Sequence, residues 1–485
     1  MSSRSEKSAE VVVVGGEPQA KDRTRESDVP PRMGKAMRQK PEETGRLERA
    51  ADEVRQGSGL DEAKLPPRAP NDTGPELVTA ILARENLLRA MKQVRANKGA
   101  AGVDGLDIDQ TAKMLRTEWP RIRDSLLKGA YRPQPVRRVM IPKPGGGERE
   151  LGIPTVLDRL IQQALLQVLQ PILDPTFSKH SYGFRPGKSA HDAVLAAQSF
   201  VQSGRRVVVD VDLEKFFDRV DHDILIDRLR KRIPDPGVIR LVRAYLNADI
   251  ADGDVTIKRS RGTPQGGPLS PLLANLLLDE VDKELERRGH AFCRYADDCN
   301  VYVRSKRAGE RVMALLRRLY GGLHLTVNEA KSAVASVFGR KFLGYAFWVA
   351  PGGVLKRRVA DKAIKAFKDR IRELMPRVTG RSLLAVTERL RSFVLGWKAY
   401  FKLAQTPGVW RELDEWMRHR LRAIQLKQWK RGRTIFRELT AMGVKPDRAA
   451  QAAANCRRWW RNSGTILNTV LTIKWADQLG MPRLA

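Results

Sequence analysis

Two stretches of the sequence decide the fold: RVVVDVDLEKFFDRV at residues 206–220 and FCRYADDCNVYVR at residues 292–304. In the first, the alternation of a strand puts three valines on one face and sets Asp210 and Asp212 together on the other. The second reads as two short strands that meet in a tight hairpin at residues 296–298. The two stretches therefore predict neighbouring strands with carboxylates near a hairpin tip.

Acidic residues inside apolar strands are unexpected in so basic a chain, because a buried carboxylate is costly unless it is paired or binds a metal. Asp297 and Asp298 at a hairpin tip, beside a third carboxylate from a neighbouring strand, could bind two hard divalent cations such as Mg²⁺. Two such ions activate an attacking hydroxyl and stabilise the leaving oxygen in phosphoryl transfer. Spacing does not choose between Asp210 and Asp212 as the third ligand, and an Asp-Asp pair in an ordinary surface turn is the alternative.

The charge balance indicates a polyanionic partner. The 485 residues include 89 Lys and Arg against 56 Asp and Glu, a net charge of +33. Three cysteines without a CxxC pair argue against a disulfide framework or a structural zinc site and favour a reducing cytosol. Since no apolar run is long enough to span a membrane, the expected partner is nucleic acid and not lipid.

The charge is unevenly distributed along the chain. Residues 1–70 are nearly neutral, poor in aromatics and rich in polar residues, which predicts a disordered arm. Residues 351–485 hold 30 Lys and Arg against 10 Asp and Glu, together with seven of the nine tryptophans. Apolar residues at helical spacing in this region predict that most tryptophans pack helices while the cations face a phosphate backbone.

The coarse pattern from residue 71 onward mixes both element types. It predicts a helix over residues 75–96, an extended pair around Gly145, a strand at residues 206–212 and the hairpin at residues 291–304. Mostly helices follow the hairpin. An α+β catalytic domain with a helical appendage is therefore expected.

Residues 295–298, Tyr-Ala-Asp-Asp in a hairpin, resemble the palm signature of reverse transcriptases, as does Phe217 five residues after Asp212. More narrowly, the chain resembles the group II intron-encoded reverse transcriptase/maturase family. The ordered motifs are IPKPGGGERELGIPTVLDRLIQQAL (141–165), SYGFRPGKSAHDAV (181–194), DLEKFFDRVDHD (212–223), GTPQGGPLSPLLANLLLDEVDKEL (262–285), RYADD (294–298), LTVNEAKS (325–332) and FLGYAF (342–347). A basic, aromatic-rich stretch at 391–433 resembles the maturase region of the same family.

The resemblance implies a right-hand polymerase with fingers, a palm built on an antiparallel sheet, and a helical thumb, followed by a helical maturase domain. The expected boundaries are an arm at 1–70, fingers and palm at 71–347, and thumb plus maturase domain at 348–485. Many family members end in an endonuclease domain rich in Cys and His. This sequence shows no such segment, so nicking of target DNA by the protein itself is not expected.

The resemblance also assigns roles in catalysis. Asp212, Asp297 and Asp298 match the metal-binding triad for two Mg²⁺ ions, and the Leu213 carbonyl is a further oxygen ligand. The five-residue step to Phe217 favours Asp212 over Asp210. Lys331 matches the lysine proposed to protonate the departing pyrophosphate.

A second set of residues is expected to bind the incoming nucleotide. Lys143 and Arg149 flank a glycine-rich turn, so a hairpin would bring both cations to a triphosphate. Phe217 matches the residue beneath the sugar, where a ring excludes a 2′-hydroxyl and selects dNTPs. Gln265 supplies an amide beside the nucleotide. Core packing for Phe217, and a plain surface hairpin for the two cations, are the alternatives.

The expected function is an RNA-directed DNA polymerase that copies intron RNA into DNA for retrohoming and also assists splicing. Its expected partners are the group II intron RNA, an RNA template with a DNA primer, dNTPs and target DNA, in the bacterial cytoplasm and at the nucleoid when bound to DNA. The alternatives are a non-catalytic RNA-binding splicing factor and a domesticated reverse transcriptase used in DNA repair or defence. The cations expected to contact RNA are Lys398, Lys402, Arg418, Arg422, Lys427 and Lys430.

Overall fold

The computed structural model describes residues 74–142, 147–253 and 255–485. The helices are α1 (Gly74–Ile81), α2 (Arg84–Asn97), α3 (Ile108–Leu127), α4 (Val156–Leu173), α5 (Ala190–Gln202), α6 (Phe216–Arg219), α7 (His222–Arg230), α8 (Pro236–Leu246), α9 (Ser270–Arg287), α10 (Lys306–Gly322), α11 (Asp361–Leu374), α12 (Leu383–Tyr400), α13 (Pro407–Trp429), α14 (Gly432–Ala441), α15 (Pro446–Ala454), α16 (Trp459–Gly464), α17 (Ile466–Val470) and α18 (Ile473–Gln478). The strands are β1 (Val136–Pro142), β2 (Glu148–Ile153), β3 (Val207–Val211), β4 (Ile250–Asp252), β5 (Val255–Ile257), β6 (Ala291–Tyr295), β7 (Asp298–Val303), β8 (Ala333–Ser336), β9 (Lys341–Phe342), β10 (Tyr345–Val349) and β11 (Leu355–Val359). The predicted N-terminal arm lies outside the described residues.

A four-stranded antiparallel sheet in the order β6-β7-β3-β8 carries both of the decisive sequence stretches. On one face, Val209 and Val211 belong to the largest core, which also contains residues of α9 and α10. On the other face, Val208 and Tyr302 pack into a second core with α5 and β10. Because apolar side chains cover both faces, a carboxylate of this sheet reaches solvent at the end of the strands.

The described residues form two further sheets. The first has the order β2-β1-β4-β5, and its β1–β2 hairpin confirms the extended pair predicted around Gly145. Residues 143–146, which connect β1 to β2 in the sequence, lie outside the described residues. The second has the order β11-β10-β9. Strand β11 falls in the segment expected to be helical, because residues 350–354, with Gly352 and Gly353 at positive φ, turn the chain back so that β11 pairs with β10 over five residues.

The helix predicted over residues 75–96 is two helices, α1 and α2, with a break at Leu82 and Ala83. The buried Asn86 amide donates to the Ile81 carbonyl at 2.9 Å and to the Ala164 carbonyl at 3.1 Å. It thereby satisfies one of the carbonyls that a helix leaves unpaired at its carboxyl end. The break is therefore held by a side chain that links α1, α2 and α4.

The carboxyl-terminal helices enclose two cores. Helices α11, α12, α13 and α18 surround one, and the end of α13 with α14, α15 and α17 surrounds the other. Six of the seven tryptophans in residues 351–485 pack against these cores, which confirms the expected packing role. Trp460 differs, since it is partly exposed and stacks on His419 with 3.7 Å between the ring centroids. Among the described helices, none has the length and apolar character that a membrane crossing requires.

Candidate active site

The acidic residues of the two decisive stretches meet at one end of the central sheet. Strands β3 and β7 are antiparallel, and the last pair in their register is Val211 opposite Cys299. One further step along this register sets Asp212 beside Asp298. Asp210, Asp212 and Asp298 thus share one face of the sheet, and all three line a single cavity of about 560 Å³.

A buried arginine holds the hairpin turn that carries Asp297. Arg294 is 1% exposed, and its Nη1 donates to the Ala296 carbonyl and to Asn275 Oδ1, both at 2.9 Å. Its Nε and Nη2 bind the buried carboxylate of Asp282 at 2.6–2.9 Å. Ala296 has a φ of 58°, a left-handed conformation that disfavours residues with a Cβ. The arginine therefore stabilises a turn whose backbone is strained.

A loop from the motif at residues 181–194 packs directly on this turn. A Cβ added to Gly183 would lie 2.3 Å from the Ala296 amide nitrogen, so only glycine fits there. Asn275, which binds Arg294, also donates to the Gly183 carbonyl at 2.9 Å. The loop, helix α9 and the hairpin turn are consequently joined through one side chain.

Burial and mutual repulsion raise the pKa values of the hairpin carboxylates. Burial, with Asp210 and Asp297 nearby, raises the pKa of Asp298 to about 7. The pKa of Asp297 is also raised, first by burial and then by Asp212, although Arg149 and Arg294 oppose the change. This end of the sheet therefore favours a proton or a cation next to the carboxylates.

Each of the two β3 carboxylates already faces a cation. Asp210 pairs with Arg340 at 2.6 Å and its side chain is 17% exposed. Asp212 is 43% exposed and its Oδ1 lies 3.3 Å from Lys331 Nζ. Both aspartates line the cavity and both face a cation, but Asp210 is more buried and lies closer to its cation than Asp212 does. Leu213, the next residue, forms an isolated β-bridge with Val327. The two hydrogen bonds of this bridge are accepted by the carbonyls of Asp212 and Thr326, and the Leu213 carbonyl accepts neither.

The donor set at this end of the sheet suits a hard divalent cation, since it consists of carboxylate oxygens whose repulsion a cation would relieve. As they stand, the described residues contain no group of three or more His, Cys, Asp or Glu side chains that could hold a metal ion. The carboxylates of Asp212, Asp297 and Asp298 are therefore close enough to affect one another's pKa, but their oxygens do not converge on one point. A cation would have to draw Asp212 away from Lys331.

The residues predicted to bind the nucleotide lie on connected segments. Phe217 is half-buried, and its ring meets Phe216 edge-on at 5.0 Å. Its carbonyl accepts the Thr263 amide at 2.7 Å, which ties α6 to the glycine-rich segment. The Gln265 carbonyl in that segment accepts the Gly152 amide of β2 at 2.9 Å.

Arg149, on the same strand β2, is exposed and close enough to Asp297 to lower its pKa. Strand β2 therefore brings Arg149 near the hairpin carboxylates and is joined through Gly152 to the segment that carries Gln265. Lys143, the other cation predicted to hold the triphosphate, lies outside the described residues.

The cations predicted to contact RNA have different surroundings. Lys402, Lys427 and Lys430 are exposed, and Lys398 and Arg418 are partly exposed.

Arg422 corrects the prediction, because it is 3% exposed. Its Nε donates to the Leu471 carbonyl at 2.8 Å and its Nη1 to the Ser463 carbonyl at 3.4 Å, while burial lowers its pKa to about 10. Arg422 thus holds the last helices against α13 and is not on the surface available to RNA.

Sequence reasoning missed the supporting residues Arg294, Asn275 and Asp282. A signal was present, since an arginine in the apolar run FCRY violates the same burial rule that singled out the aspartates. Its partner Asp282 lies in α9, and no local pattern connects the two.

An antiparallel sheet with carboxylates at a hairpin turn, next to a strand that carries an exposed arginine and to a glycine-rich segment, is the arrangement of template-directed nucleic-acid polymerases. Comparison with known families narrows this class. Residues 141–347 match the family described as "Reverse transcriptase (RNA-dependent DNA polymerase)", and residues 364–442 match "Group II intron, maturase-specific domain". The protein belongs to the family of group II intron-encoded reverse transcriptases with a maturase domain, which confirms the predicted family and the α+β fold.

Individual relatives agree with this assignment. The chain is 34% identical over 311 residues to the protein YkfC of Escherichia coli (strain K12), which covers 56% of this chain and 82% of YkfC. It is 40% identical over 195 residues to the group II intron-encoded protein LtrA of Lactococcus lactis subsp. cremoris, which covers 40% of this chain and 32% of LtrA. The match therefore spans most of YkfC and about a third of the length of LtrA.

A solved structure is also similar to part of the chain. It is a partial Cas6-RT-Cas1–Cas2 complex, 27% identical, covering 50% of this chain and 42% of that chain with a TM-score of 0.34.

Proposed function

We propose that this protein is an RNA-directed DNA polymerase that copies group II intron RNA into DNA for retrohoming and binds the same RNA to assist its splicing. The observation that carries the proposal is the set of three aspartates at one end of the central sheet, inside the segment that matches the reverse transcriptase family. Substrates of such an enzyme are an RNA template with a DNA primer and dNTPs, and target DNA is a further partner.

In the proposed domain organisation, fingers and palm occupy residues 71–347, and thumb and maturase domain occupy residues 348–485. The central sheet forms the palm. Support comes from the family match over residues 141–347 and the maturase match over residues 364–442. The helical cores of α11–α18 suit the second segment.

Asp212, Asp297 and Asp298, with the Leu213 carbonyl, would hold two Mg²⁺ ions. When bound, such ions supply charge neutralisation at the reacting phosphate and lower the pKa of the primer hydroxyl. The 3′-oxygen of the primer forms a bond to the α-phosphorus of the dNTP, the bond to pyrophosphate breaks, and the hydroxyl proton leaves to solvent. Lys331, 3.3 Å from Asp212, is positioned to donate a proton to the departing pyrophosphate.

Substrate selection is proposed for residues around the carboxylates. Arg149 would bind the triphosphate. Lys143, which lies outside the described residues, is predicted to bind it too. Phe217 would lie beneath the sugar and exclude a 2′-hydroxyl, while the Gln265 amide would contact the nucleotide. The link from Phe217 through Thr263 supports a shared pocket for these two side chains.

Intron RNA would bind the basic surface of the maturase domain, on the exposed cations Lys402, Lys427 and Lys430 and the partly exposed cations Lys398 and Arg418. The charge of residues 351–485 supports this assignment. We also place the protein in the bacterial cytoplasm, and at the nucleoid when it is bound to DNA. Its cysteines are free thiols, as a reducing compartment would keep them.

Primer extension on an RNA template with Mg²⁺ and dNTPs tests the proposal. The intact protein should extend the primer, and Asp297→Ala should abolish extension while RNA affinity is unchanged. Asp124→Ala, which removes an exposed carboxylate on α3, is the matched control and should keep full activity. No extension by the intact protein, with tight RNA binding retained, would instead support a non-catalytic splicing factor.

A further inference from the structure

A polar cavity of about 420 Å³ lies between α15, α16 and the start of α17, beyond the segment that matches the maturase family. Three of the side chains around it are arginines, and most of the rest are amides and a hydroxyl. We call this cavity the arginine pocket. It is lined by Arg448, Gln451, Asn455, Arg458, Arg461, Asn462, Thr465 and Ile466.

The charge in the arginine pocket is not compensated by the protein. No acidic residue lines the pocket, and its three arginines form no ion pair within the described part of the chain. Elsewhere in this region arginines do find partners, as Arg437 does with Glu438 and Arg483 with Asp477. Three like charges around one concavity repel each other and focus a positive potential, which an anion would relieve.

The walls of the arginine pocket are fixed by buried contacts. The Asn462 amide, 5% exposed, donates to the carbonyls of Ala452 at 3.2 Å and Asn455 at 3.0 Å, and so joins α15 to α16. Arg422 binds the Ser463 carbonyl from α13. His419 binds the Trp460 carbonyl at 2.7 Å. The arginines therefore project from a backbone that is held in place without a ligand.

We propose that the arginine pocket binds a phosphate of a nucleic-acid backbone. This inference rests on the proposed function and adds a site to it, one that lies on residues 446–466 and shares no residue with the five cations proposed to contact the intron RNA. A guanidinium presents two parallel N–H donors to a phosphate, and two or three guanidinium groups can surround its oxygens. The amides and hydroxyl of Gln451, Asn455 and Thr465 offer donors and acceptors to the adjoining sugar, including a ribose 2′-hydroxyl.

The test is the salt dependence of binding by the full chain. The variant Arg458→Gln/Arg461→Gln removes two pocket cations, and Arg457→Gln removes an exposed cation between Cys456 and Arg458 that does not line the pocket. The probes are a transcribed RNA hairpin and a DNA hairpin of the same sequence. Loss of one phosphate contact should weaken binding about ten-fold at ~0.1 M salt and reduce the slope of log K against log salt by about one.

If the pocket variant binds the RNA hairpin more weakly than the intact protein does, the pocket is assigned to RNA. If only its binding of the DNA hairpin is weaker, the pocket is assigned to DNA. Unchanged slopes for both probes would overturn the inference. An equal change in slope per removed arginine in the pocket variant and in Arg457→Gln would also overturn it. Primer extension on a short preannealed template is measured in parallel. If the intact protein extends primers and binds RNA, and the pocket variant shows the same extension and the same salt dependence of binding, the pocket assignment fails and the proposed function stands.

Discussion

At the scale of single residues, Arg294 shows how the carboxylates are positioned. It is a fully buried cation whose contacts divide between the Asp282 carboxylate and the carbonyl of the turn residue Ala296. The ion pair compensates for burial, and the remaining donors fix a backbone conformation that Ala296 would otherwise avoid. The residue thus acts on the active site through Asp297, which follows in the turn.

Arg294→Lys should lower the rate of primer extension about 10- to 100-fold. A lysine keeps the charge opposite Asp282, but its single ammonium group cannot also donate to the Ala296 carbonyl. The KM for dNTPs should change little, since Arg294 lies under the turn and not in the nucleotide path. Steady-state primer extension gives both constants.

Arg422→Lys is the matched control. Arg422 is 3% exposed, and its side chain donates to the carbonyls of Leu471 and Ser463. None of its hydrogen bonds among the described residues reaches the Ala296 turn. An equal loss of kcat in both variants would show a general effect of buried arginine substitution and would exclude a specific positioning role for Arg294.

The raised pKa of Asp298 predicts how stability depends on pH without a divalent metal. The folded protein holds this proton up to a pKa of about 7, whereas the unfolded chain releases it at about 3.9. Each rise in pH between these values therefore favours unfolding. Asp298→Asn should have a higher Tm than the unmodified protein at pH 8, with a smaller difference at pH 5. A difference in Tm that is the same at both pH values, measured in EDTA, would contradict this prediction.

At the scale of elements, the last helices depend on contacts that come from α13. Helices α16, α17 and α18 have five or six residues each, too few to be stable alone. Arg422 satisfies the carbonyls of Leu471 and Ser463, and the Asp414 carboxylate accepts the Leu484 amide at 2.8 Å. The carboxyl-terminal segment is therefore anchored by two polar side chains of one long helix.

Arg422→Leu should destabilise this segment because two buried carbonyls would lose their donors, at a cost of about 1–3 kcal/mol each. Hydrogen exchange of amides in residues 459–485 should accelerate, while amides of the central sheet keep their protection. Lys427→Leu, which removes an exposed cation one turn further along α13, is the control for charge. Unchanged exchange in Arg422→Leu together with weaker RNA binding would restore the RNA-contact role.

At the scale of the whole molecule, charge and chemistry occupy different parts of the chain. The carboxylates lie in the central sheet, while residues 351–485 hold 30 of the 89 basic residues and only 10 of the 56 acidic ones. Such a division lets the protein hold a long polyanion away from the carboxylates that would repel it.

RNA affinity should accordingly depend steeply on salt. For six to ten phosphate contacts, the binding constant should fall by about 10³ or more between ~50 and ~200 mM salt. Fluorescence anisotropy with a labelled RNA measures this slope. A slope close to zero would mean that the basic surface of α12 and α13 does not contact the backbone.

The sequence alone predicted the strand at residues 206–212, the hairpin turn and the family, and it proposed the three aspartates. These features follow from local alternation, turn chemistry and ordered motifs, each contained in a short window of residues. The break between α1 and α2 was not predictable in this way, because Asn86 acts through the Ala164 carbonyl, which lies outside the window. The β10–β11 hairpin is a local feature that was missed, although Gly352 and Gly353 mark its turn.

Only the tertiary structure paired Asp210 with Arg340, identified Arg294 beneath the turn, and moved Arg422 from the RNA surface to the interior. Each of these depends on which distant segment supplies a partner: Arg340 for Asp210, Asp282 for Arg294, and the carbonyl of Leu471 for Arg422. The physical reason is that the free energy of a charged side chain is set by its burial and its partner, and packing determines both.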